Sequence, residues 1–150
     1  MGRFERKPLP KQDARGTSRV VHAADLRIEA WGPTREACLT EAVRALVESF
    51  ARTRLHRGSA AWSFEVCGPT DGSVLVALLD KVILMMRTRS LIPVTAEGIV
   101  VDGSTVRLRC QMTDLGAVIP TGAIPKAVSR REVRCERTER GWWCAARIDV

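Results

Sequence analysis

Apolar and polar positions alternate in two rhythms along this chain, and each change of rhythm marks an element. Leu26-Arg27-Ile28-Glu29-Ala30 sets an apolar residue at every second position, which predicts a half-buried strand. After Gly32-Pro33-Thr34 the spacing changes. Leu39, Val43, Leu46, Val47 and Phe50 recur at i, i+4, i+7, i+8 and i+11, one stripe of a helix expected near Thr34–Arg52. Thr34 is the expected N-cap, and Glu36 suits the positive end of the helix dipole. Arg35, Glu36, Glu41, Arg44 and Glu48 fall mostly off the stripe, as in a surface helix lying on a sheet. A basic connection from Arg52 to Gly58 leads to Trp62-Ser63-Phe64-Glu65-Val66, which alternates as a short strand.

A second helix is expected after the turn residues 68–72, near Val74–Arg87. Between Val74 and Met86 only Asp80 and Lys81 are charged, so this helix is apolar nearly all round. Such a helix is buried in a core or covered by a partner. Beyond it the pattern is β. Segments 94–101 and 105–112 flank Asp102-Gly103, a type I′ hairpin signal, with Val106, Leu108, Cys110 and Met112 on one face and Arg107, Arg109 and Gln111 on the other. A loop from Thr113 to Lys126 precedes a last hairpin, 127–136 with 142–150, around Arg140-Gly141. This order predicts an α+β fold, two helices packed on a mostly antiparallel sheet. A doubly wound parallel fold would need more βαβ units than the chain supplies.

Composition adds boundaries. Residues 1–18 carry Pro8, Pro10, Gly16 and Ser18 without apolar periodicity and read as a disordered basic arm, with the folded domain over 19–150. Of the net charge of +7, residues 1–19 supply six basic side chains against two acidic ones. Such an arm either holds RNA phosphates weakly or serves as a solvated leader. No run approaches eighteen apolar residues and no secretory signal is present, so the expected location is the cytoplasm, away from membranes. The five cysteines (Cys38, Cys67, Cys110, Cys135 and Cys144) include no CxxC pair and are expected to be reduced and mostly buried.

Catalytic signatures are missing. There is no GxSxG elbow, no P-loop, no dinucleotide glycine fingerprint and no zinc-deaminase pair, so an enzyme acting alone is not expected. What stands out is polar and oddly placed: His22-Ala23-Ala24-Asp25 just before a strand, and Asp149 next to the last residue.

His22-Ala23-Ala24-Asp25-Leu26-Arg27-Ile28-Glu29-Ala30-Trp31-Gly32-Pro33-Thr34 resembles the opening signature of the archease family, H-T-A-D-(I/V)-x-(I/L)-x-A-x-G-x-T. Lys126-Ala127-Val128-Ser129 resembles that family's K-A-V-T segment, and Arg147-Ile148-Asp149-Val150 its terminal F-D-V or F-D-I. The likeness runs from about Val21 to Val150. It implies a non-catalytic accessory protein, or chaperone, of the RNA ligase of tRNA splicing and RNA repair, speeding the ligase's guanylylation and turnover. It also implies a divalent cation, Ca2+ or else Mg2+ or Mn2+, held by Asp25, Asp149 and a main-chain or terminal oxygen of Val150. His22, Lys126, Arg130 and Arg131 would lie beside that site. Three departures stand out: Ala23 for the family's Thr, Arg87-Thr88-Arg89 for its D-T-E, and Arg130-Arg131 for an aromatic/His pair. The basic swaps open an alternative, a diverged module that binds RNA or protein through a basic face with no ligase partner.

Overall fold

The computed structural model describes residues 14–21, 25–53, 57, 58 and 60–150. One sheet is built from β1 (Gly16–Val21), β2 (Asp25–Gly32), β8 (Ala127–Val128), β9 (Arg134–Thr138) and β10 (Gly141–Asp149). Its order is β1-β2-β10-β8, with β9 pairing another stretch of β10. A second sheet has the order β4-β6-β5, from β4 (Ala60–Cys67), β5 (Leu91–Asp102) and β6 (Thr105–Asp114). A two-residue ladder joins β3 (Ala51–Arg52) to β7 (Ile119–Pro120), and every ladder is antiparallel. Helices α1 (Arg35–Glu48) and α2 (Asp71–Arg89) pack on these sheets and share one core with them. The expected α+β architecture is what forms.

The core follows from the two periodicities. Leu26, Ile28 and Ala30 of β2 and Cys144, Ala146 and Ile148 of β10 point inward, with Leu39, Val43 and Leu46 of α1 against them. Leu75, Leu78 and Leu79 of α2 and Val106, Leu108 and Met112 of β6 complete it. Each fully buried aliphatic side chain contributes roughly 1.5–3 kcal/mol, so this shared interior is the dominant stabilising term. Both helices start on a threonine cap: Thr34 Oγ1 accepts from Ala37 N at 3.1 Å, and Thr70 forms a reciprocal capping box with Ser73. The corner joining β2 to α1 needs glycine, because a Cβ on Gly32 would sit 2.8 Å from Cys38 N.

Several boundaries differ from those the sequence suggests. α1 stops at Glu48, not near Arg52: Ser49 Oγ donates to Leu46 O at 2.6 Å, and Phe50 N bonds Val47 O, an i→i−3 bond, in place of Leu46 O. Ala51 and Arg52 then enter the ladder with β7. α2 begins at Asp71 and runs to Arg89, beyond both expected ends, because its cap lies at Thr70. β1 takes in Gly16–Ser18, residues assigned to the arm from sequence. The loop of the β5–β6 hairpin is Gly103-Ser104, and neither residue has positive φ, so the turn is not type I′. Instead, the Asp102 carboxylate accepts from Ser104 N at 2.9 Å and a bulge between Val100 and Asp102 supplies the twist. The last hairpin is broken between β8 and β9, where Glu132 adopts φ 59°. α1 is also no simple surface helix: Glu41 is buried, held by Arg15 at 2.5 Å and Arg44 at 2.6 Å. The cysteines are free; Cys38, Cys110 and Cys144 are buried, Cys135 is half-buried and Cys67 is exposed. No described helix is long and apolar enough to cross a membrane.

Candidate functional site

The pairing of β2 with β10 sets the site. Its register opposes Asp149 to Asp25, Arg147 to Arg27, Ala145 to Glu29 and Trp143 to Trp31. Leu26, Ile28, Ala146 and Ile148 take the core face, so these opposed pairs occupy the outer face. That face divides in two. Toward Gly32 it is aromatic, with Trp143 Nε1 donating to Glu29 Oε2 at 3.2 Å and Arg134 stacked over the Trp143 ring at 6.0 Å. At the other end it is charged.

There Asp25 is half-buried and Asp149 exposed, directly opposite in an antiparallel ladder. Opposed residues in such a ladder have Cβ atoms about 4.5–5.5 Å apart, so the two carboxylates share one small patch of surface. Arg147 does not pair with Asp149, as their shared strand face suggests. Its Nε lies 3.5 Å from Asp25 Oδ2 and its Nη2 2.8 Å from Glu132 Oε2. Asp25, Arg27, Glu132, Ala146 and Arg147 line a cleft of about 50 Å³. Among the described residues no three His, Cys, Asp or Glu side chains converge as a metal cage. The donor set is therefore open: two carboxylates and nearby main-chain oxygens, a chemistry that fits a hard divalent cation with waters completing its shell.

Residues 126–131 frame the same end. Lys126 N donates to Asp149 O at 2.7 Å, and Ser129 N to Arg147 O at 2.9 Å, which fastens this segment along the end of β10. Arg87 Nη1 reaches Lys126 O at 3.2 Å. Arg130 is turned away from the carboxylates and pairs loosely with Asp80 at 3.4 Å, and Arg131 is exposed. Val150 is half-buried beside the core. His22 lies outside the described residues. Glu132 is not legible in the sequence: it falls within the span expected as a regular hairpin, and its placement depends on a left-handed backbone that no periodicity announces.

The sequence model of the Archease protein family (MTH1598/TM1083) matches residues 18–150. This chain belongs to the archease family. It is 40% identical over 143 residues to the probable protein archease of Mycobacterium tuberculosis, spanning 90% of this chain and 75% of that one. Its fold resembles the solution structure of protein 1598 of Methanobacterium thermoautotrophicum, with a TM-score of 0.69 and 17% identity over 90% of this chain and 99% of the other. It also resembles the crystal structure of an archease, described as a possible chaperone, from Thermotoga maritima, with a TM-score of 0.55 and 15% identity over 98% and 97% of the two chains. At those identities the structural likeness speaks for the archease fold alone. Family membership rests on the sequence match.

Proposed function

We propose that this archease is a non-catalytic accessory protein of an RNA ligase of the tRNA-splicing type, promoting the ligase's guanylylation and turnover. The observation that carries the reading is the direct opposition of Asp25 and Asp149 on an archease chain. A fold that sets two carboxylates side by side on an open surface invites a cation, and an open cation invites a partner's ligand. Asp25, Asp149 and a main-chain oxygen of Val150 would hold it. When bound, such a cation supplies positive charge and free coordination positions for a partner's carboxylate or phosphate. Arg147 is the internal competitor for Asp25, and Lys126 and Arg87 keep the surroundings basic.

Nothing among the described residues argues for chemistry by this chain alone. Burial pushes the Cys110 and Cys135 thiols up to about 12, far from the thiolate form a nucleophile needs. The test is a ligase guanylylation assay with and without this protein. Faster guanylylation and multiple turnover are expected with the native chain, and a clear loss of both with Asp149→Ala. A ligase indifferent to the native protein would exclude the assignment.

A further inference from the structure

The chain is 27% charged, yet residues 115–125, Leu-Gly-Ala-Val-Ile-Pro-Thr-Gly-Ala-Ile-Pro, hold no charge at all. Within this stretch Ile119 is 57% and Ile124 51% exposed. These are two of only five large apolar side chains so exposed among the described residues. A floppy loop with this composition would collapse onto the core, but this one is pinned open. Leu115 N donates to Ser90 O at 2.8 Å, just past the end of α2. Thr121 N donates to Phe50 O at 2.9 Å, just past the end of α1, and Ile119 pairs with Arg52. Gly122 lies so tightly on that turn that a Cβ would come within 2.3 Å of Ser49 O. The strap therefore crosses the C-terminal ends of both helices and finishes at Lys126, whose N–H holds Asp149 O.

Its rim is basic. Arg52, Arg87 and Lys126 are exposed around it, and none has a carboxylate partner among the described residues. Leu84, 50% exposed, lies one turn before Arg87 on α2 and adds apolar surface on that side. An apolar centre edged by unpaired cations is complementary to a protein surface with an apolar patch and an acidic rim. A single-stranded nucleic acid would want aromatic platforms, and the strap has none.

We propose that the strap 115–125 is the docking surface for the RNA ligase, which meets it with an apolar patch bordered by carboxylates, and so brings its active region to the Asp25–Asp149 end. This rests on the ligase reading above. The experiment measures binding of the purified full-length ligase by calorimetry and guanylylation in parallel. The double variant Ile119→Asp with Ile124→Asp changes only exposed side chains and is expected to fold and to weaken binding about tenfold or more. The matched control, Val100→Asp with Val101→Asp, alters the two comparably exposed valines near the β5–β6 hairpin tip. That tip is at the opposite end, where Gly103 O accepts from Arg35 at the start of α1, and the control is expected to bind within about twofold of native. Charge reversal, Lys126→Glu with Arg87→Glu, is expected to weaken binding as well. Strap variants that bind like native while the native chain activates the ligase would overturn the docking surface and leave the ligase reading intact. Charge reversals that tighten binding would overturn the acidic rim. A native chain that neither binds nor activates the ligase overturns both.

Discussion

The Arg147 guanidinium stands between Asp25 and Glu132, 3.5 Å from one carboxylate and 2.8 Å from the other, while Asp149 opposite Asp25 has no cation partner among the described residues. A divalent cation entering this patch would have to share Asp25 with Arg147 or displace it. The Arg147–Asp25 ion pair is only partly shielded from water, at a loose 3.5 Å, and is worth about 0–1 kcal/mol, so displacement is cheap. Arg147→Gln should therefore bind calcium up to about fivefold tighter than the native chain, while Asp25→Ala and Asp149→Ala should lose the response. The measurement is the calcium dependence of the thermal midpoint up to millimolar concentrations. A native midpoint that does not move with calcium rules out the cation.

The buried Glu41 gives a sharper stability test. Its carboxylate is almost wholly covered, whereas Arg15 and Arg44 keep nearly half of their side chains in water. Removing both arginines strands a buried charge; removing the glutamate strands none. Arg15→Ala with Arg44→Ala should thus cost about 3 kcal/mol, and Glu41→Gln about 1–2 kcal/mol. Urea unfolding of the two variants decides it, and equal losses would contradict this account.

How much of this is legible in the sequence depends on the range of the interaction. β2, both helices and the inward face of β6 follow from local periodicity, and Leu26, Leu39 and Leu108 are buried where that periodicity puts them. β1 was invisible at its start because Gly16-Thr17-Ser18 carries no apolar rhythm; backbone ladder bonds to β2 hold it, and Gly16 leaves room for the Trp31 ring, which a Cβ would approach to 2.6 Å. β3 and β7, two residues each, owe their existence to each other. Asp25 and Asp149 are marked only by their resemblance to the family's motifs; no spacing in the chain brings them together. The burial of Glu41 and the partners of Arg147 depend on residues far away in sequence, beyond the reach of any window.

The thiols make the protein sensitive to alkali. Cys110 and Cys135 are pushed by burial from an ordinary value of 9.0 to about 12, and a hydrogen bond with Cys38, followed by burial, raises Cys144 well above its usual range. Below about pH 9 folded and unfolded chains both keep these protons and stability is flat. From there to about pH 12 the unfolded chain releases protons that the folded chain retains, so stability falls as pH rises, on the order of 1 kcal/mol per pH unit for each thiol. Denaturant midpoints between pH 8 and 11 test the slope. Native alkylation at pH 8 should label Cys67 alone, and rapid labelling of Cys110 would refute the burial argument.

Gly141 is predicted to be irreplaceable. Its φ of 134° is one that side chains avoid, and a Cβ there would lie 2.4 Å from Gly32 O. Gly141→Ala should cost about 2 kcal/mol or more, visible as a lowered thermal midpoint. A midpoint unchanged within a degree would count against the corner as described.

The central position of β10 has a consequence for biosynthesis. Its neighbours β2, β8 and β9 all leave the ribosome earlier, yet each borders it directly in the sheet. Until residues 141–149 emerge, β2 has a ladder only on the β1 side and β8 and β9 have none within that sheet. The nascent chain must carry a helix as apolar as α2 while the sheet that helps to cover it is still missing its middle, and closure then waits on a pairing between the two ends of the domain. A protein proposed to assist another macromolecule is thus itself exposed, during synthesis, to the aggregation hazard that holding factors exist to relieve.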